Sequence, residues 1–341
     1  MPIKNHLKGS PWREQDLGGS RPNKSVCVTR YGAIGDAIQT SSVLAELKRK
    51  YKYVCINCEE KTYNILKHDP SIDEFFIQAK NQVPKEELAE YWNKLAPLFT
   101  KYINLCECVE GSCLAIPSRI QHSWPKEVRH KLMNHNYIEL MHGIAEVPYT
   151  KPNTKFYPSK KEMKWAEKER KKLKGEVILW ALSGSSIHKF TPHTDTVVQN
   201  LLNTHKDLYI VFVGDNACRI LESGWEDNSR VLCRSGEWNI RQVLTFAELC
   251  NVIVGPETGV LNSVSMSPMR KIVLLSHSTK ENLSRDWVNT SSLAPENVGC
   301  YPCHMLHYSS KYCDIHQETG SAMCAYNISP ETIYHEITKY L

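Results

Sequence analysis

Strand-sized apolar runs alternate with helical stretches twice along this 341-residue chain, and no other feature constrains its fold as tightly. In the first half, Ser25–Arg30 reads as a buried strand. Asp36–Lys50 follows with helical spacing through Ala37, Ile38, Val43, Leu44 and Leu47. Strands at Tyr53–Asn57, Glu74–Gln78 and Tyr102–Leu105 alternate with helices at Lys61–Lys67 and Lys85–Phe99. The pattern restarts with strands at Glu176–Leu182, Leu208–Gly214, Arg230–Cys233, Val252–Gly255 and Lys271–Leu275. Helices at Thr194–Leu202, Ala217–Ser223, Ile240–Leu249 and Gly259–Met266 separate them. Such alternation predicts parallel sheets covered on both faces, so the expected class is α/β, with two Rossmann-like domains in tandem.

The expected organisation is a polar N-terminal tail over 1–24, a first domain over 25–160 and a charged linker helix over 161–175. A second domain over 176–326 contains a Cys- and His-rich segment at 300–324, and a closing helix occupies 327–341. Residues 106–160 are less regular, and the charges of the linker read as solvated. The best apolar run, Val177–Leu182, falls far short of the roughly 18 residues a membrane span needs. The first 24 residues carry Lys4, Lys8, Arg13 and Arg21 without the apolar stretch of a secretory signal. The expectation is a cytoplasmic protein without a transmembrane segment, with peripheral membrane contact left open. Residues 1–160 hold 23 Lys and Arg against 17 Asp and Glu, whereas the remainder holds 19 against 20. A basic first half suits an anionic partner, and a solvated lysine surface is the alternative.

Three segments carry chemistry. In Arg30-Tyr-Gly-Ala-Ile-Gly-Asp36-Ala-Ile-Gln-Thr40, Gly32 and Gly35 allow close backbone approach at a strand-to-helix turn, and the helix start favours negative charge. The run is neither G-x-G-x-x-G nor a phosphate loop ending in Gly-Lys. Asp36 falls where an N-cap belongs, and capping is its plain alternative role. The second segment is Ala181-Leu-Ser-Gly-Ser-Ser-Ile-His-Lys189-Phe-Thr-Pro192; the third is Val254-Gly-Pro-Glu257-Thr258-Gly259-Val-Leu-Asn262. In the third, a strand end and a Thr-Gly turn opening a helix present free backbone amides to an anion.

In this order and spacing, the three segments resemble those of the ADP-heptose:lipopolysaccharide heptosyltransferase family, inverting glycosyltransferases of the GT-B fold. The resemblance implies two Rossmann-like domains with parallel sheets facing across a cleft. It implies Asp36 as the base that activates the acceptor hydroxyl, with Gly32, Gly35 and Thr40 in the surrounding loop. Lys189, with Ser183, Ser185 and Ser186, would meet the developing charge of a nucleotide diphosphate leaving group. Glu257 stands where the family has Asp and would hold donor-sugar hydroxyls beside Thr258 and Gly259. Asn262 stands where the family has His. The implied donor is a nucleotide diphosphate sugar, with an ADP-sugar favoured, and the implied acceptor is an anionic glycan such as a lipopolysaccharide core. Modified nucleic-acid bases or a protein are alternative acceptors, and a non-catalytic nucleotide-sugar-binding module is the alternative of another class. The family needs no catalytic cofactor.

Thirteen cysteines in a chain without an export signal are reduced thiols or metal ligands. Cys300-Tyr-Pro-Cys303, Cys313 and Cys324 supply four thiolates for a structural zinc, with buried thiols as the alternative; the second C-x-x-C of a standard site is missing. Cys106, Cys108 and Cys113 match no standard spacing. No local signature frames a Cys–His nucleophile.

Overall fold

A computed structural model describes residues 3–7, 17–78, 82–150, 152–184, 186, 189–307, 311 and 313–341. The chain forms two compact units, Met1–Cys108 with Ile138–Tyr157, and Val109–Tyr137 with Pro158–Leu341.

In the first unit, β1 (Ile3–Leu7), β2 (Ser25–Thr29), α1 (Ile34–Lys50), β3 (Tyr53–Glu59), α2 (Glu60–Leu66), β4 (Glu74–Gln78), α3 (Leu88–Leu95) and β5 (Lys101–Asn104) follow in sequence. All strand pairings are parallel, in the spatial order β1-β4-β3-β2-β5. β2 and β4 are buried along their whole length, as strands covered on both faces must be. The stretch assigned to a polar tail is structured in part. β1 pairs with β4 from Ile3 opposite Glu74 to Leu7 opposite Gln78. An edge strand pairs on one side only, so Ile-Lys-Asn-His-Leu suffices without a buried strand's apolar run. Leu17 joins a core with Cys27, Cys55, Phe76, Tyr91 and Leu95, and Arg21 Nε lies 2.7 Å from Glu74 Oε2.

Three helices follow, α4 (Cys108–Ser112), α5 (Lys126–Met133) and α6 (Tyr137–Ala145). The first domain was expected to run unbroken to residue 160, but residues 109–137 belong to the second unit. Their partners explain why. Ala115 bridges Met305 in parallel, Arg129 Nε donates to the Cys303 carbonyl at 2.8 Å, and Asn282 Nδ2 donates to the carbonyls of Met133 and His135 at 2.9 Å. Ala115, Met133, Cys303 and Met305 share one small apolar cluster.

The second unit continues with α7 (Lys160–Arg170), β6 (Glu176–Ala181), α8 (Thr194–Thr204), β7 (Leu208–Val213), β8 (Val231–Cys233), α9 (Ile240–Ala247) and β9 (Val252–Pro256). After these come α10 (Gly259–Ser263), β10 (Arg270–Leu274), α11 (Lys280–Leu283), β11 (Thr290–Leu293), α12 (Met323–Tyr326) and α13 (Pro330–Thr338). Its sheet is wholly parallel, ordered β11-β10-β9-β6-β7-β8. β11, a half-exposed Thr-Ser-Ser-Leu at one edge, has no counterpart in the sequence reading. The helix expected at Ala217–Ser223 is a 3-10 helix over Asn216–Glu222. The helix expected over 161–175 is a docked part of this unit, and not a solvated linker. Glu162 pairs with the buried Arg241 of α9 at 2.6 Å, and Trp165 meets Trp238 edge-on at 5.0 Å between ring centres. Among the described residues, no helix is long and apolar enough to cross a membrane.

Candidate active site

β2 ends at Thr29, and the next four residues carry the chain into α1. Arg30, fully buried, donates through Nη1 to the Leu105 carbonyl at 2.7 Å and lies 2.6 Å from Asp36 Oδ1 through Nη2. The other carboxylate oxygen accepts from the Ala33 amide at 2.7 Å. The N-cap of α1 is Ala33, so Asp36 is the third helical residue and reaches back to the cap, a correction to its expected N-cap place. Gly32 has φ +147°, and a Cβ there would come within 2.6 Å of Asp36 Oδ2; a side chain at 32 would evict the carboxylate. Gly35 is the second helical residue. Thr40 is buried, and its hydroxyl donates to the Asp36 carbonyl at 2.8 Å, which gives it a place inside the helix. The Asp36 side chain keeps 18% of its surface exposed, so a hydroxyl can reach it.

In the second unit, candidate residues gather after the C-terminal ends of β6, β9 and β10, where parallel sheets present their loops to ligands. Lys189 Nζ lies 3.9 Å from Glu257 Oε2. Its stem folds over Gly184, where a Cβ would come within 2.5 Å of Lys189 Cδ, and its amide donates to the Ser186 carbonyl at 2.9 Å. The hydroxyls of Ser186 and Thr258 are buried without a hydrogen-bond partner among the described residues. Buried hydroxyls without a partner among the described residues suit a polar ligand. The Ser183 hydroxyl donates to the Gly184 carbonyl at 3.3 Å, and Ser185 lies outside the described residues. Gly259 opens α10, which stops at Ser263 instead of reaching Met266. So short a helix adds little dipole, and the local charge rests on Lys189. Asn262 turns into its own helix, with Nδ2 donating to the Thr258 carbonyl at 2.9 Å.

The sequence reading missed His277. Its Nε2 sits 3.1 Å from Glu257 Oε2 with the side chain 1% exposed. Tyr137 lies in the same neighbourhood: burial first, then the Glu257 charge, holds its phenol well above the ordinary range, and its hydroxyl meets Ser278 Oγ at 2.6 Å. The available signal was position, since His277 closely follows the strand Arg270–Leu274 at the ligand-binding end of the sheet.

Cys300, Cys303, Cys313 and Cys324 gather in one region. Each thiol is raised first by burial, and Cys324 is raised further by Cys313, Cys303 and Cys300 together. Cys303 is pushed up to about 12 and Cys313 to about 11. Four clustered thiols fit a tetrahedral sulfur site in donor type, although among the described residues no three Cys, His, Asp or Glu side chains close on one metal position.

Compared with known proteins, the chain matches no protein-family model and no curated protein sequence. Solved structures do resemble it. ADP-heptose lipopolysaccharide heptosyltransferase II of Escherichia coli superposes with a TM-score of 0.64 at 12% identity, covering 93% of this chain and 98% of that one. The fold is GT-B. A family 9 glycosyltransferase from Veillonella parvula shares it at a TM-score of 0.63 and 12% identity, over 94% of this chain and 98% of the other. So does TibC, a dodecameric iron-containing heptosyltransferase solved with ADP-D-beta-D-heptose, at a TM-score of 0.59 and 9% identity, over 94% of this chain and 77% of that one. In this chain's GT-B fold, Asp36 belongs to the first unit, and Lys189, Glu257 and His277 to the second.

Proposed function

We propose that the protein is an inverting glycosyltransferase moving a heptose-like sugar from a nucleotide diphosphate donor, with ADP favoured, to an anionic glycan such as a lipopolysaccharide core. The observation that carries this reading is the Lys189–Glu257–His277 group, with the Ser186 and Thr258 hydroxyls unpartnered among the described residues, at the strand ends of a GT-B fold. In a single displacement, the acceptor oxygen bonds to the anomeric carbon while the bond to the diphosphate breaks, which inverts the centre. Asp36 takes the acceptor proton, and Lys189 meets the charge gathering on the leaving diphosphate. Glu257 holds sugar hydroxyls and reaches one methylene further than the family's Asp. The surplus of Lys and Arg over residues 1–160 suits an acceptor bearing phosphates or acidic sugars.

Support for a structural metal comes from the four clustered thiols and from an iron-containing protein among the similar folds. Thiolate donor sets take zinc or iron, and metal analysis of protein purified without chelator is expected to find one equivalent. The transfer itself needs no added metal, so activity should persist when EDTA is added to the assay.

The deciding experiment is a thermal-shift panel of ADP, UDP and GDP with their sugar conjugates, followed by a transfer assay with the donor that stabilises most. A ligand at about 100 times its dissociation constant adds about 2.7 kcal/mol, a shift of roughly 2–4 °C at this size. Selective stabilisation by ADP and its heptose conjugate is expected. A response to UDP alone removes heptose as the sugar, and silence across the panel removes the donor site.

A further inference from the structure

We infer that His277 is a positioning residue that holds Glu257 in place for the donor sugar and frees Lys189 for the diphosphate, an inference that rests on the donor-site reading above. Lys189 and His277 address the same oxygen, Glu257 Oε2, and do so unequally. The imidazole is in close contact at 3.1 Å, whereas the ammonium stands off at 3.9 Å, the outer limit of an ion pair. A lysine bound that loosely can turn to a phosphate at little cost, provided that another group keeps the carboxylate oriented. His277 is built to be that group. The ring is almost wholly buried, and Ser276 Oγ lies 3.2 Å from its Nδ1. The ring thus touches the Glu257 carboxylate through Nε2 and Ser276 Oγ through Nδ1.

The backbone around His277 is fixed from several directions. Its carbonyl accepts from the His304 amide at 2.9 Å. Ser278 is gripped by Tyr137 at 2.6 Å and by Tyr301, whose hydroxyl donates to the Ser278 carbonyl at 3.2 Å. The longer glutamate has one more rotatable bond than an aspartate and needs such a tether if it is to present its oxygens in one geometry. Asn262 directs one amide hydrogen to the Thr258 carbonyl in its own helix. The imidazole comes from the loop after β10.

A structural role alone would change the affinities of all donor-site ligands together; a positioning role separates those that carry a sugar from those that do not. The test uses the nucleotide pair (ADP with ADP-heptose, UDP with UDP-glucose, or GDP with GDP-mannose) that stabilises the wild-type chain most. Calorimetric titration of His277→Phe, which keeps the bulk and loses the donor, is expected to weaken the sugar nucleotide at least tenfold. The bare diphosphate should stay within about threefold. His277→Gln, whose amide can still donate to the carboxylate, is expected to recover most of the loss. Combining His277→Phe with Glu257→Gln should cost no more than Glu257→Gln alone, because both remove one linkage. Equal weakening of both ligands, no weakening, or additive losses in the double variant would overturn the inference while leaving the donor site standing. Failure of the wild-type chain to bind any of the three pairs would overturn the donor reading and this inference with it.

Discussion

With Arg30 fully buried and paired to Asp36 at 2.6 Å, removing the carboxylate strands a guanidinium in the core of the first unit. Breaking a buried pair on one side costs about 3–5 kcal/mol. Asp36→Ala therefore confounds loss of the proposed base with loss of fold, and Asp36→Asn, which keeps an oxygen facing Arg30, is the better probe. It should lower transfer by about 10²-fold or more while affinity for the donor, proposed to bind the other unit, stays unchanged; unaltered turnover would remove Asp36 as the base. Gly184→Ala probes the second unit. Its Cβ would press on the flexible Lys189 stem at 2.5 Å, so diphosphate affinity should fall several-fold with a Tm change under 2 °C, and calorimetry with a melting curve checks both. Asp36, Lys189 and Glu257, whose roles are proposals, stand out in the sequence because each sits in a motif of fixed order. Arg30 and His277 carry no comparable signature. Their importance lies in partners six and twenty residues away, visible only once the loops are folded.

The strand that matters most to the second unit, β6, is buried on both faces from Val177 to Ala181 and announced itself by composition. Two of the four edge strands, β1 and β11, did not, because pairing on one side demands no apolar run, whereas β5 and β8 carried enough apolar residues to be read. Helix α7 shows a related limit. Its Lys- and Glu-rich sequence resembles a solvated spacer, yet Glu162 reaches Arg241, whose side chain is only 5% exposed. Burial alone would raise the Glu162 carboxyl, but the Arg241 hydrogen bonds and the Ser159 cap outweigh it and bring it to about 2. A carboxyl depressed on folding stabilises the protein above its unfolded value near 4.3 and loses that contribution as the pH falls toward 2. The wild-type Tm should therefore drop across that window by more than that of Glu162→Gln, as acid melts followed by circular dichroism would show. Equal acid sensitivity would mean that the pair contributes nothing to docking.

At the scale of the whole molecule, the chain passes from one unit to the other at residues 108–109, 137–138 and 157–158. No local pattern could reveal this, because residues 109–137 are assigned by partners near 276–305, far along the sequence. The second unit cannot be cut out at Pro158. A fragment over 158–341 loses the Ala115–Met305 bridge and the Arg129 bond to the Cys303 carbonyl. Its Cys303 thiol, 8% exposed in the full chain, is expected to react with a thiol reagent at least tenfold faster; an unchanged rate would show that 109–137 is dispensable to the segment it covers.

The same interleaving sets a schedule for synthesis. Residues 109–137 leave the ribosome well before the stretch near 276–305 that receives them, and at about 5–20 residues per second the delay is on the order of ten seconds. For that interval Met133, which ends with 2% of its surface accessible, has no finished core to enter. The first unit faces a shorter version of the problem, since its sheet ends at Asn104 but its last helix and tail, 138–157, arrive only after the guest segment has passed. A nascent chain of this design exposes apolar side chains midway through translation, until the residues that cover them have been made.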